Sequence, residues 1–218
     1  MNIAAIGAFL LIIILIYLIY SKYGRKINIK LKNLTTCINN YADKPKIVDN
    51  KVIVTFSTTP NRVRTSKIDD MLKSVLDQSS RVNNIYMVVP EEFLGEKYDI
   101  PKKYNDFVNI FPSAMDYGQA TNIVPVLIQE KECDTIIIAL KDHIIYGNDF
   151  IEKLLETSKN NPDCVIADHK VNPTAILLKP ECYECGTIDR DKNRYSDSWF
   201  IKQANNAKII DYNKNCNS

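Results

Sequence analysis

Two short polar runs, each following an apolar segment, hold the side chains best suited to chemistry. Residues 57–62 read STTPNR after the segment VIVTFS, and residues 141–143 read KDH after TIIIAL. A buried strand that opens onto three ionisable residues is typical of a ligand site, because open α/β sheets bind ligands at the carboxyl ends of their strands. The alternative is a solvated turn between a strand and a helix.

The elements that would position these runs alternate between strand and helix. Short apolar or β-branched segments predict strands at residues 52–57, 84–89, 107–111, 135–140, 164–167, 174–178 and 208–211. Helical spacing of apolar residues predicts helices after Ser66 and after Asn148, each as N-cap, with further helices near 118–131 and 196–206. Pro125 marks a kink or a late start in the third of these helices. The pattern predicts an α/β fold, with a mostly parallel sheet flanked by helices on both faces.

Composition excludes several classes of protein. The chain has 218 residues, of which 45% are hydrophobic and 25% charged, and its formal net charge is +2. This is a globular composition without the basic excess of a nucleic-acid-binding surface. Two histidines and 6 cysteines exclude a histidine-rich metal store and a small disulfide scaffold. We therefore expect one domain with an appendage, and no nucleic-acid partner.

The amino terminus carries a long apolar stretch. Residues 3–20 contain no charge, and a helix of that length matches the hydrocarbon thickness of a bilayer. A cleaved signal peptide would need a preceding basic region and small residues at the cleavage site, but tyrosines stand there instead. We predict an uncleaved, single-pass transmembrane anchor over residues 1–21.

The flanking charges predict the orientation of that anchor. Lysine and arginine follow the span at five positions, namely Lys22, Arg25, Lys26, Lys30 and Lys32. The positive-inside tendency then places the remainder of the chain in the cytoplasm. Asn33 begins a glycosylation sequon, which would matter only if this side were lumenal. We predict a basic juxtamembrane linker at residues 22–50 and the main domain at residues 51–218.

Six segments in order resemble a known family: VIVTFSTTPNRV, SVLDQSS, NIYMVVP, AMDYGQATNIVPVL, TIIIALKDHIIYGNDFIEKL and YSDSWFI. The chain looks like the small glycosyltransferases of the nucleotide-diphospho-sugar (GT-A) fold, which are familiar from large DNA viruses and bacteria. The resemblance spans roughly residues 51–212 and implies a GT-A-like domain, and a host or virion membrane as the location of the anchor.

The resemblance assigns site residues where the motifs match. The family's T-T-x-P-x-R motif, which lies by the nucleotide, is matched by Ser57, Thr58, Pro60 and Arg62. Its D-Y-G-P-A-T-K motif is matched at Asp116, Tyr117, Gly118, Ala120 and Thr121, although Gln119 replaces the proline and Asn122 the lysine. The implied donor-binding residues are Ser57, Thr58, Arg62, Asp116, Lys141 and Asp142.

The acidic motif departs most from the family. Where the family has three aspartates before I-I-Y, this chain has Lys141, Asp142 and His143. In the family this motif holds a divalent cation that neutralises the diphosphate leaving group. Three alternatives remain open: Mn²⁺ held by His143 and Asp142, metal-independent action with the Lys141 ammonium against the diphosphate, or an inactive site.

The last motif, D-D-x-W, is matched at Asp197 and Trp199, with Ser196 in place of the first aspartate. The resemblance implies that Asp197 is the catalytic base that accepts the proton of the acceptor hydroxyl. The alternative for Asp197 is a carboxylate that interacts with the start of a helix. For Trp199, core packing is the first expectation, ahead of a platform for a sugar ring.

Four possible zinc ligands, Cys164, His169, Cys182 and Cys185, match known zinc sites only weakly in their spacing. We expect reduced thiols without metal. The sequence as a whole predicts a membrane-anchored glycosyltransferase that moves a sugar from a nucleotide-sugar donor to a glycan or lipid-linked acceptor. The alternative is a non-catalytic descendant of the same fold, acting as a membrane or virion interaction module.

Overall fold

The computed structural model describes residues 3–130, 132, 134–162, 165–167, 173–183, 196, 199 and 209–211, with the backbone alone at 3–8, 22 and 209–211. Asp197 and most of the helix predicted near 196–206 lie outside these residues.

One seven-stranded sheet and a small hairpin make up the described strands. In chain order the strands are β1 Lys51–Ser57, β2 Asn84–Pro90, β3 Glu92–Phe93, β4 Glu96–Lys97, β5 Asn109–Ser113, β6 Thr135–Lys141, β7 Val165–Ala167, β8 Ala175–Leu178 and β9 Ile209–Asp211. The sheet has the order β5-β2-β1-β6-β8-β7-β9, and β3 pairs with β4 alone. All pairs in the large sheet are parallel except those that β8 makes with β6 and β7. The predicted α/β fold with a mostly parallel sheet is confirmed.

Helices cover both faces of the sheet. They are α1 Ile3–Leu31, α2 Leu34–Ala42, α3 Pro60–Arg64, α4 Asp69–Leu76, α5 Val124–Gln129 and α6 Phe150–Asn160. Alternate residues of β6 belong to two separate cores: Ile136 and Ile138 pack with α2, α4 and α6, whereas Ile137 packs with α5. Both faces of the central strands are therefore buried, which is why their sequences are almost continuously apolar.

Two helix starts differ from the predicted caps. Ser66 has a φ of 56°, outside the extended backbone of an N-cap, and its hydroxyl accepts a hydrogen bond from Lys103 at 2.8 Å. Helix α4 is instead preceded by Ile68, while the predicted apolar stripe of α4 is buried in full. Asp149, and not Asn148, precedes α6. Pro125 lies in the first turn of α5, so the late start holds.

Residues 22–50 contain regular structure where the sequence indicated a weakly patterned linker. They hold the second half of α1 and the whole of α2. Ile29 on α1 is fully buried, and Tyr41 on α2 is nearly so. Asn33 is the N-cap of α2, because its side chain accepts a hydrogen bond from the Thr35 backbone N–H at 2.8 Å. Both helices are thus parts of the folded domain.

The first half of α1 is exposed. The 12 apolar and tyrosine side chains of residues 9–20 are each between 47% and 70% exposed. Among the helices, as far as the structure describes them, none is long and apolar enough to cross a membrane. The transmembrane anchor predicted from the sequence therefore finds no support in the structure.

Candidate functional site

The register of the central strands brings the two polar runs together. Strands β1 and β6 are parallel neighbours, and Ser57 at the end of β1 pairs with Lys141 at the end of β6. Both strands therefore end at the same edge of the sheet, and the loops that follow them face each other. This is the carboxyl edge, at which open α/β sheets bind ligands.

Asp142 joins the two loops. Its Oδ2 accepts a hydrogen bond from Thr58 Oγ1 at 2.7 Å and an ion-paired hydrogen bond from Arg62 Nε at 2.6 Å. Arg62 Nη2 also donates to the Asp142 backbone carbonyl at 3.3 Å. The Asp142 side chain is only 12% exposed, so this charged pair lies largely out of water and fixes the loop after β6 against the loop after β1.

Asp116 organises the third loop of the site. Its Oδ1 accepts hydrogen bonds from the Gly118 backbone N–H and from Thr121 Oγ1, each at 2.8 Å. Gly118 has a φ of 68°, a left-handed conformation that glycine adopts without steric cost. The residues that match the D-Y-G-P-A-T-K motif thus form a tight turn, which the Asp116 side chain closes.

The β3–β4 hairpin forms a wall that the sequence analysis missed. Phe93 and Tyr98 line the cleft from this side, and the Tyr98 hydroxyl donates to the Thr58 backbone carbonyl at 2.7 Å. Burial, followed by the charges of Asp116 and Asp142, raises the pKa of Tyr98. The turn residues Leu94 and Gly95 both have positive φ, which usually requires Asn-Gly or Asp-Gly. With leucine at the first position, the hairpin had no clear signal.

Asn122 lies at the base of the cleft. Its Nδ2 donates to the Leu140 carbonyl at 3.2 Å, and its backbone carbonyl accepts from Thr55 Oγ1 at 2.7 Å. Its Oδ1 is buried without a hydrogen-bond partner in the described part of the chain. These contacts join the loop after β5 to β1 and β6.

The seven described site residues line one cleft of about 270 Å³: Ser57, Thr58, Arg62, Asp116, Lys141, Asp142 and His143. Their roles in donor binding stay predictions. Asp197, the predicted catalytic base, lies outside the described residues. Trp199 packs against the core on the α5 face, in line with the first expectation for this side chain.

The residues of the cleft do not form a metal site as they stand. Among the described residues, no group of three or more His, Cys, Asp and Glu could hold a metal ion. Asp142 Oδ2 already accepts hydrogen bonds from Thr58 and Arg62. His143 Nδ1 lies 3.3 Å from the other oxygen, Oδ1, and its ring is largely exposed. Oδ1 and the imidazole are therefore the neighbouring groups with which a cation would have to bind, and Mn²⁺ held by Asp142 and His143 stays a prediction.

Of the weak zinc set, only Cys182 is described, and the other three residues lie outside the described part. Cys182 is buried, and it packs in the core on the α5 face. This is the environment of a structural thiol.

No family model matches the chain, and no curated protein matches it. Among solved structures, the chain is similar to the mannosyltransferase PcManGT from Pyrobaculum calidifontis, which was solved in complex with GDP-Man and Mn²⁺. The identity is 12% and the TM-score 0.46, and the likeness covers 77% of this chain and 55% of that enzyme. The chain thus spans about half the length of that GT-A-type mannosyltransferase, and a likeness at this level says nothing about the ligands that this chain binds.

Proposed function

We propose that the chain is a glycosyltransferase that transfers a sugar from a nucleotide-sugar donor to a glycan or lipid-linked acceptor. The observation that carries this proposal is the cleft at the carboxyl edge of the sheet, which is lined by the Lys141 ammonium, the Ser57 hydroxyl and the Arg62 guanidinium, the last of these paired with Asp142. A nucleoside diphosphate needs both kinds of partner, cations for its charge and donors for its oxygens.

The proposed reaction breaks the bond between the anomeric carbon and the diphosphate oxygen and forms a bond from that carbon to the acceptor hydroxyl oxygen. The nucleoside diphosphate leaves with the electron pair of the broken bond, and Arg62 and Lys141 would balance the charge that develops on it. The proton of the acceptor hydroxyl would pass to the Asp197 carboxylate. No step of this scheme is assigned to a metal ion.

A calorimetric titration tests the proposal. Uridine, guanosine, adenosine and cytidine diphosphates are titrated into the full chain, once with chelator and once with Mn²⁺. We expect one of them to bind with chelator present, and Lys141→Met to weaken that binding by about 10- to 150-fold, the factor for a lost charge-assisted hydrogen bond of about 1.5–3 kcal/mol. Lys153→Met is the matched control, since Lys153 lies on α6, pairs with Asp149 just before that helix and does not line the cleft.

The second candidate function is a non-catalytic interaction module. The observation in its favour is that Asp142, which stands in the family's acidic motif, accepts hydrogen bonds from Arg62 and Thr58 and so serves to join two loops. Absence of binding by all four nucleotides, together with absence of donor hydrolysis, would favour this function over transfer.

The location of the chain is a separate proposal. We keep the cytoplasm as the location of the main domain, on the strength of the basic residues that follow the exposed apolar half of α1. Attachment to a host or virion membrane through residues 3–20 remains part of the same proposal. Membrane flotation of the full chain, compared with a variant that lacks residues 2–21, tests the attachment.

A further inference from the structure

The loop between β6 and α6, residues 142–149, carries Asp142 and His143 into the cleft and is held in place through Tyr146. The Tyr146 hydroxyl accepts from the Lys141 backbone N–H at 2.9 Å and donates to the Thr174 carbonyl at 2.7 Å. Tyr146 is 3% exposed, and its ring packs against Phe150 with centroids 4.9 Å apart. One side chain thus links the cleft end of β6 to the buried side of the loop.

Helix α4 and the turn after it fasten the same loop. The Tyr146 backbone N–H donates to Ser74 Oγ at 3.1 Å. Gln78 is almost fully buried; its amide donates to the Gly147 carbonyl and its Oε1 accepts from the Ile151 backbone N–H at 3.0 Å. The Tyr146 N–H and the Gly147 carbonyl therefore find their hydrogen-bond partners on α4 and on the turn after it.

Helix α1 supplies a further partner of this loop. The Arg25 guanidinium donates to the Tyr146 carbonyl from Nε at 3.3 Å and from Nη2 at 3.2 Å, and its Nη1 forms an ion pair with Asp77. Lys32, the residue directly after α1, forms an ion pair with the same Asp77 but makes no hydrogen bond to Tyr146. The planar guanidinium of Arg25 thus acts as a rigid fork of hydrogen-bond donors. It joins α1 to Asp77, directly after α4, and to the loop 142–149.

We propose that Arg25 is a positioning residue for the cleft, through which the placement of α1 controls the order of residues 142–149 and thereby the affinity for the donor. The link to the donor rests on the proposed function. Without the fork, the Tyr146 carbonyl loses two donors and the loop gains conformational freedom. A binding-competent state that is populated for only a fraction of the time lowers the apparent affinity by that fraction.

Amide hydrogen exchange of the full chain tests the structural half of the proposal without any ligand. Arg25→Ala should speed the exchange of the amides of residues 142–149, whereas Lys32→Ala should not, although each variant removes one partner of Asp77. Arg25→Lys keeps the charge opposite Asp77 and loses the fork, so it should restore the unfolding midpoint but not the protection of the loop.

The binding half uses the nucleoside diphosphate that the wild type binds. Arg25→Ala should weaken its binding by roughly 2- to 30-fold, the range for a coupling of about 0.5–2 kcal/mol, with Lys32→Ala near the wild type. Equal loop exchange in both variants would overturn the proposal, since Arg25 would then act only through Asp77. A loosened loop with unchanged affinity would overturn the control of binding. If the wild type binds no nucleotide, the proposed function fails, and exchange alone decides whether Arg25 orders the loop.

Discussion

The two oxygens of the Asp142 carboxylate have different partners. Oδ2 accepts hydrogen bonds from Arg62 and Thr58 and so joins two loops, whereas Oδ1 lies 3.3 Å from His143 Nδ1. A metal ion on Oδ1 would share the cleft with the ammonium of Lys141, and repulsion between the two cations raises the energy of such a site. We therefore expect side chains, and not a divalent ion, to neutralise a bound diphosphate.

Lys141→Asp should convert the cleft to metal-dependent binding. A second carboxylate beside Asp142 supplies oxygen ligands and removes the repulsion, so Mn²⁺ should strengthen nucleotide binding by about tenfold or more in the variant, that is by about 1.4 kcal/mol. In the wild type, binding should change little between chelator and Mn²⁺. A strict Mg²⁺ requirement in the wild type would contradict this account. Lys153→Asp, which alters the same charge on α6, is the control.

Asp197→Asn separates a base from a binding residue. The amide keeps the shape of the side chain but cannot accept the proton, so transfer should fall by about 10²–10⁴-fold while donor affinity stays unchanged. Initial rates at saturating donor, together with calorimetry of the donor, provide the measurement. A loss of affinity equal to the loss of rate would make Asp197 a binding residue instead.

Asp77→Asn should lower stability at neutral pH. Burial raises the pKa of Asp77, but hydrogen bonds and charges from Lys32 and Arg25 lower it more, so the net shift is downward. A depressed pKa adds stability above the unfolded value of about 3.9, and this is lost as the pH falls through the lower folded value.

Chemical denaturation at pH 7 should show a loss of about 1.5–3 kcal/mol for Asp77→Asn, and the gap to the wild type should narrow near pH 3. Asp149→Asn removes an exposed pair with Lys153, so its cost should be about 0.3–0.5 kcal/mol at most. An equal cost for both variants would contradict the special position of Asp77.

At the scale of elements, the hairpin β3–β4 determines one side of the cleft. Tyr98→Phe keeps the ring in place but removes the hydrogen bond to the Thr58 carbonyl. We expect a loss of about 0.5–1.5 kcal/mol in the free energy of unfolding, and a weaker affinity for the nucleotide because Thr58 is less firmly held. Tyr86→Phe is a control, since Tyr86 packs against Phe111 on the α5 face. Unchanged nucleotide affinity in Tyr98→Phe would show that the hairpin borders the cleft without influencing binding.

The elements also define the limits of prediction from sequence. Strands such as β1 and β6 are nearly uniform in apolar composition, so their existence could be predicted, and with it the edge where the site lies. The hairpin could not, because Leu94 has a positive φ without the residue types that normally indicate it. Helix α2 could have been predicted, because Leu34, Cys37, Ile38 and Tyr41 recur at helical spacing; its cap, Asn33, also begins a sequon, and this second meaning hides the cap signal. The hydrogen bonds of Asp142 and Tyr146 join residues that are far apart in the sequence, so no local pattern predicts them.

At the scale of the whole molecule, the two halves of α1 should differ in their effect on folding. Residues 9–20 are exposed, so deletion of residues 2–21 should leave the unfolding midpoint and nucleotide binding unchanged. Deletion of residues 2–32 exposes the site of Ile29 and leaves Asp77 without Arg25 and Lys32, so it should destabilise the domain by several kcal/mol. Denaturation of the two variants provides the test, and equal stability would contradict the docking of α1.

The sequon provides a test of topology that spares the fold. Because Asn33 caps α2, its replacement would cost about 0.5–2 kcal/mol by itself. Thr35→Ala removes the sequon and keeps the backbone N–H that the cap requires. If the domain is cytoplasmic, wild type and Thr35→Ala should have the same mass in eukaryotic cells. A glycosidase-sensitive shift in the wild type alone would place this side in the lumen.

The continuity of α1 has a consequence for the freedom of the domain. A flexible linker of n residues would let the domain wander over roughly 5–6 Å × √n from its point of attachment. Here the backbone is helical at every residue from Ile3 to Leu31, so the apolar half and the docked half turn as one body. Whatever holds residues 9–20 also fixes the direction in which the cleft opens. Under the proposed function, a surface that holds residues 9–20 would present acceptors to the cleft from one side only.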